Sequence, residues 1–232
     1  HDARMDALLW NNSSAQAARQ LLLVSPQSRL VFLARLGLVN GQDPAAQGLD
    51  PGPGVLRDAG YVYNRVRMLR TTGQTAVAAS VLATRPPLSA PPRDARRWVG
   101  ELLAVARNSD AANAVRIAAT VDETFPPGTD VSLQSFQIRD DYTSLVWLGG
   151  MRALNELRDP ARAAPLFYRY GSAARNPQTR SKGYYWAGRA MAQAGRMVDA
   201  NRYFEMAAIY PEQFYGQLAL ERLGRPLPAF NQ

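Results

Sequence analysis

Apolar residues recur along this chain every three to four positions, and runs rich in proline, glycine and asparagine interrupt them. That spacing puts side chains on one face of a helix, whereas a half-buried strand alternates every second residue. No stretch sustains the strand alternation. Residues 1–10 and 15–24 predict a short hairpin turning at Asn11, Asn12 and Ser13, with Ala18, Leu21 and Leu22 on its inner face. Ser25-Pro26 offers an N-cap and a proline at the first helical position. Leu30, Leu33, Ala34, Gly37 and Leu38 then form the inner face of the next helix. Residues 40–54 predict a loop or frayed turn. Ala59, Val62, Tyr63, Val66 and Leu69 mark a helix whose partner carries Val77, Ala78, Val81 and Leu82. The four prolines of residues 85–92 force an extended connector, because proline supplies no donor and restricts its predecessor.

The second half repeats the design. One pair is built on Ala95, Trp98, Val99, Leu102 and Ala106, then Ala111, Val115 and Ala118. After the break at 125–129, a long helix carries Val146, Gly149, Gly150, Ala153, Leu154 and Leu157. Asp159-Pro160 starts the next helix, with Ala163, Leu166, Phe167 and Tyr170, and Asn176-Pro177 repeats the device. In residues 180–216, Tyr184, Ala187, Gly188 and Met191, then Ala200 and Phe204, then Pro211, follow the helix-hairpin signature of tetratricopeptide repeats. Ala163-x3-Phe167 recurs as Ala200-x3-Phe204, 37 residues later. The expected fold is all-α: a right-handed α-superhelix, or solenoid, of stacked antiparallel helix hairpins, TPR-like towards the C-terminus. A single region over 1–232 is expected, with seams near 90 and 127 and a TPR-like subregion over 140–224.

Composition narrows the chemistry. The chain has 232 residues, no cysteine and one histidine, His1. Thiolate sites, disulfides and histidine-pair zinc sites are therefore excluded, and a lone histidine at a chain terminus gives no normal scaffold for a Ser-His-Asp triad. No glycine-rich phosphate loop occurs. Asp122-Glu123 and Asp140-Asp141 are adjacent carboxylates, which point about 100° apart on a helix and read as helix-terminal charge. No cofactor or metal is called for. The net charge of +8 rests on arginine, with Lys182 the one lysine, and favours anionic partners. The arginines share no common repeat register, from Arg65, Arg67 and Arg70 to Arg162 and Arg202, so nucleic acid is not expected. No run approaches a membrane span. The opening HDARMDALLW lacks the pattern of a signal peptide, so His1 reads as the start of a mature, trimmed or excised piece.

The 182–190 segment Lys-Gly-Tyr-Tyr-Trp-Ala-Gly-Arg-Ala, the Ala200/Phe204 helix, Tyr210-Pro211 and the 214–219 segment Phe-Tyr-Gly-Gln-Leu-Ala with Leu223-Gly224 resemble soluble lytic murein transglycosylases. The 5–10 segment, Tyr63-Asn64-Arg65, Trp147-Leu148-Gly149-Gly150 and Asp159-Pro160 extend the resemblance over nearly the whole chain, strongly over its last third. It implies a curved periplasmic superhelix joined to an enzyme that cleaves peptidoglycan glycan strands without water, leaving a 1,6-anhydro ring. The family's catalytic glutamate sits in a Glu-Ser motif followed by Gly-Leu-Met-Gln. Neither is present: Glu101, Glu123, Glu156, Glu205, Glu212 and Glu221 are all followed by other residues. No catalytic residue carries over. The resemblance thus implies an inactive, monomeric module that positions a lysozyme-like catalytic domain, expected beyond Gln232, on peptidoglycan. The rival reading is a general protein-binding scaffold with no tie to the cell wall. Arg180, Arg189, Tyr215 and Gln217 are the expected docking or glycan contacts.

Overall fold

A computed structural model describes residues 1–229, and every regular element among them is a helix. Within each unit consecutive helices pack on one another in series, the solenoid-like stacking expected of hairpin repeats. The chain divides into two compact units: residues 1–109 with 122–127, and residues 110–121 with 128 onward.

The first unit holds α1 (Asp2–Trp10), α2 (Ser14–Gln20), α3 (Pro26–Val39), α4 (Ala59–Thr71), α5 (Thr75–Thr84) and α6 (Ala95–Arg107). Helix α4 is its centre, packing on α1, α3, α5 and α6. It buries Tyr61, Asn64 and Met68 as well as the expected Val62, Tyr63, Val66 and Leu69. Neighbours cover most of its sides, and its three arginines, Arg65, Arg67 and Arg70, stay half-buried. Trp10 stacks on Tyr63 at 4.5 Å, and Met5, Leu9, Ala17, Val24, Phe32 and Leu36 complete the core beside it. Two arginines of the unit pair with carboxylates. Arg70 Nε and Nη2 donate to the Glu101 carboxylate at 2.6 and 3.1 Å, and Arg85 Nη1 donates to Glu123 at 2.8 Å.

Several expected inner-face residues of this unit lie outside instead. Ala18 is exposed and Leu22 is 81% exposed, while Ala17 and Gln20 turn inward. The reason is a 3-10 turn over Leu21–Leu23, which breaks the α period immediately after Gln20. On α3, Leu30 and Leu33 are exposed, while the expected Ala34, Gly37 and Leu38 are buried together with Phe32, Arg35 and Leu36. That shift follows Arg35, which faces inward to Asp6 and Asn64 where a pattern reading treats arginine as surface. On α5 the alanines 78 and 79 and Leu82 are buried, and Val77 is not. Ser25 does occupy the α3 N-cap position, but its hydroxyl donates to Asp2 Oδ2 at 2.6 Å and caps no backbone amide.

The second unit holds α7 (Ala111–Ala119), α8 (Phe136–Asn155), α9 (Pro160–Ala173), α10 (Pro177–Gln193), α11 (Met197–Ala208) and α12 (Phe214–Arg222). Each packs on the next, and α10 also packs on α12, the relation of equivalent helices in successive repeats. Side-chain caps start four of them. Asp110 accepts from the Asn113 amide, Ser135 from Ile138, Asp159 from Arg162 and Asn176 from Gln178. Each satisfies a donor that the first helical turn leaves unpaired. Helices α9 and α10 touch through glycine: a Cβ on Gly183 would meet the Gly171 Cα at 2.6 Å and the Phe167 carbonyl at 2.7 Å. Gly188 leaves the same kind of space for the Phe204 ring, at 2.6 Å from a Cβ.

Candidate functional site: an aromatic and cationic face

Residues two apart on a helix project about 200° from one another, so α10 divides its polar residues between two sides. Arg180 and Tyr184 go to one side. Lys182, Trp186 and Arg189 go to the other.

On the first side, Arg180 is half-buried and its donors are used within the chain. Nε donates to the Tyr210 hydroxyl at 2.8 Å and Nη2 to the Tyr184 hydroxyl at 3.0 Å. Nη1 donates to the carbonyls of Ala174 and Ser172, at 2.8 and 3.3 Å. Those carbonyls lie at the C-terminal end of α9, where no intrahelical partner exists. Tyr168 bridges the rings of Tyr184 and Tyr203, with centroids 5.9 and 5.7 Å away. Burial holds the Tyr184 and Tyr203 hydroxyls above their ordinary pKa.

The second side carries the face. Trp147 of α8 packs against Tyr170 of α9 at 4.7 Å and edge-on against Trp186 of α10 at 6.0 Å. Lys182 Nζ sits 4.1 Å from the Trp147 ring centroid and 5.6 Å from that of Tyr170. Arg189 lies over Trp186 at 4.8 Å. Such placements over a ring face are cation–π contacts. Burial, then the neighbouring Tyr215, raise the Tyr170 hydroxyl above its ordinary pKa. Tyr215 of α12 in turn packs on Tyr185 at 5.5 Å, with Phe214 edge-on to it at 5.1 Å.

Trp147, Tyr170, Lys182, Trp186 and Tyr215 are all half-buried, and Phe214 and Arg189 are exposed. Each ring is therefore fixed by packing yet keeps an accessible part. Neither Lys182 nor Arg189 has a carboxylate partner among the described residues, so their charge is free for a ligand. An aromatic body beside a polar group suits a ligand with both apolar and polar faces, as a sugar ring has.

Of the four expected contact residues, Arg189 and Tyr215 fall on or beside this face. Arg180 belongs to the opposite network. Gln217 lines a separate groove of about 240 Å³ with Phe214, Leu218, Glu221, Arg225 and Leu227. Arg225 closes one end of α12 through a two-pronged pairing with the Glu205 carboxylate. Trp147, Tyr170, Lys182 and Trp186 were not among the expected contacts. The one available signal was Lys182, a lone lysine in an arginine-rich chain, flanked by aromatic residues.

Among the described residues no group of acidic or histidine side chains could hold a metal ion, and no helix is long and apolar enough to cross a membrane. No family model, no curated protein and no solved structure matches the chain.

Proposed function

We propose that this chain is the non-catalytic helical module of a periplasmic soluble lytic transglycosylase. In this reading its aromatic and cationic face rests on peptidoglycan, and the module positions a lysozyme-like catalytic domain for cell-wall turnover. The observation that carries the reading is the cluster Trp147, Tyr170, Lys182 and Trp186, in which half-buried rings and an uncommitted ammonium share one surface. Its rings offer stacking area to glycan rings, and Lys182 and Arg189 offer pairing to stem-peptide carboxylates. The segment resemblance of residues 182–190 and 214–219 supplies the choice of polymer. Phe214 and Leu227, exposed around the Gln217 groove, and the half-buried Leu218 supply apolar area for the following domain.

Co-sedimentation with purified sacculi tests the proposal. The chain should pellet with sacculi, and Trp147→Ala with Trp186→Ala should reduce the bound fraction by about tenfold, as for aromatic anchors elsewhere. No 1,6-anhydro muropeptides should be released. A chain that stays in the supernatant at low salt, or a double variant that pellets as well as the parent, refutes the reading. The first of those results leaves the protein-binding scaffold as the better account.

A further inference from the structure

A cleft of about 280 Å³ opens in the first unit. At its floor lies Arg35, only 1% exposed. Nε donates to Asn64 Oδ1 at 2.8 Å and Nη1 donates to Asp6 Oδ1 at 2.7 Å. Nη2 is buried and has no partner. A buried guanidinium donor left unpaired costs free energy, so the cleft is chemically incomplete. The guanidinium lies flat on Gly60, where any Cβ would meet Cζ at 2.5 Å. Gly60 and Ala59 open helix α4, and their amides precede its first intrahelical bond. Asp58 caps that helix by accepting from the Tyr61 amide at 3.0 Å.

Four charges line this one cleft, two of each sign: Arg35, Arg93, Asp6 and Asp58. Arg93 is half-exposed and stands 3.9 Å from Asp6 Oδ2. Trp10 and Phe32 form the apolar wall. A simple anion would meet two carboxylates and a simple cation two guanidinium groups. A small molecule carrying both charges meets complementary groups at each end. The volume lies below that of drug-sized sites.

We propose that this cleft binds an α-amino-acid zwitterion. Its carboxylate completes Arg35 Nη2 and meets Arg93 and the first-turn amides of α4. Its ammonium meets Asp6 and Asp58, and its side chain lies along Trp10 and Phe32. Charge-assisted hydrogen bonds at both ends supply the affinity, and the helix N-terminus favours the carboxylate end. The inference is independent of the peptidoglycan reading, which rests on the second unit.

Titration calorimetry with glycine and L-alanine, against acetate and methylammonium, tests it. Glycine and alanine should bind at least about tenfold more tightly than either half-ligand, because each loses one charged anchor. Arg93→Ala should weaken glycine binding by about tenfold while the melting temperature holds, since this side chain is half-exposed and makes one long contact. Arg35→Met should abolish binding, but it can also unfold the unit, which is why Arg93 carries the test. The proposal is overturned if neither amino acid binds, if acetate or methylammonium binds as tightly as glycine, or if Arg93→Ala binds glycine like the parent.

Discussion

Replacing Arg180 by methionine keeps most of the side-chain stem and removes a guanidinium that holds three elements together. The lost bonds are those to Tyr210 at 2.8 Å, Tyr184 at 3.0 Å, and the Ala174 and Ser172 carbonyls at 2.8 and 3.3 Å. Hydrogen bonds from a charged donor contribute about 1.5–3 kcal/mol each when water cannot replace them. Arg180 is half-buried, so water restores part of that loss, and about 3 kcal/mol in total is the reasonable expectation. A unit of this size loses about 4 °C of melting temperature per kcal/mol, which gives a fall of about 12 °C. Differential scanning calorimetry on the parent, Arg180→Met and Arg189→Met measures it. Arg189 is exposed and makes only its contact over Trp186, so that variant should melt within about 4 °C of the parent. If both variants melt with the parent, the Arg180 network contributes nothing and its hydrogen bonds only replace those to water. If Arg189→Met falls as far as Arg180→Met, the division of α10 into a structural and a free side is wrong.

Alanine at Gly183 should destabilise the second unit by about 1–3 kcal/mol, because backbone atoms of α9 leave its Cβ no room, and urea melts would show it. Arg70→Met should cost about 3 kcal/mol or more in the same assay, since it strands the Glu101 carboxylate, itself buried, without its partner. Tyr61, Tyr170, Tyr184 and Tyr203 have hydroxyls raised above the ordinary value of 10.0, chiefly by burial. A raised folded-state pKa stabilises below the unfolded value and is lost above it, so stability should hold up to about pH 10 and fall as pH rises further. Tyrosinate absorbance should show a component ionising above the ordinary value, and a single uniform titration at the ordinary value refutes the assignment.

The all-α architecture was legible because its determinants are local. Asp159-Pro160, Asn176-Pro177 and the Ala-x3-Phe repeats each act within one or two turns, and the structure uses them where they stand. The face of α2 and that of the first half of α3 were not legible, because their determinants are not local. Leu30 and Leu33 fit a helical stripe as well as Phe32 and Leu36 do. What decides between them is Arg35, whose partners Asp6 and Asn64 each lie 29 residues away in sequence. A buried cation is recognisable only once its anion is known to stand opposite.

The same asymmetry governs the candidate site. Arg180 and Arg189 look alike in sequence, both on one helix and both in an aromatic setting. Their fates differ because α9 ends beside Arg180, presenting two carbonyls that need donors, whereas nothing anionic stands over Arg189. A helix terminus consumes whichever cation reaches it first. The cations left for a ligand are then those on the far side, Lys182 and Arg189, and the rings they cover, Trp147, Tyr170 and Trp186, define the face with them. If that ordering is right, exchanging the two roles must fail. Lys182→Met should lower the melting temperature by no more than about 4 °C, because a half-exposed cation–π contact contributes about 0.5–1 kcal/mol, yet it should weaken sacculus binding. A Lys182→Met chain that binds sacculi as the parent does would remove the ammonium from the site and leave the rings alone to account for any binding.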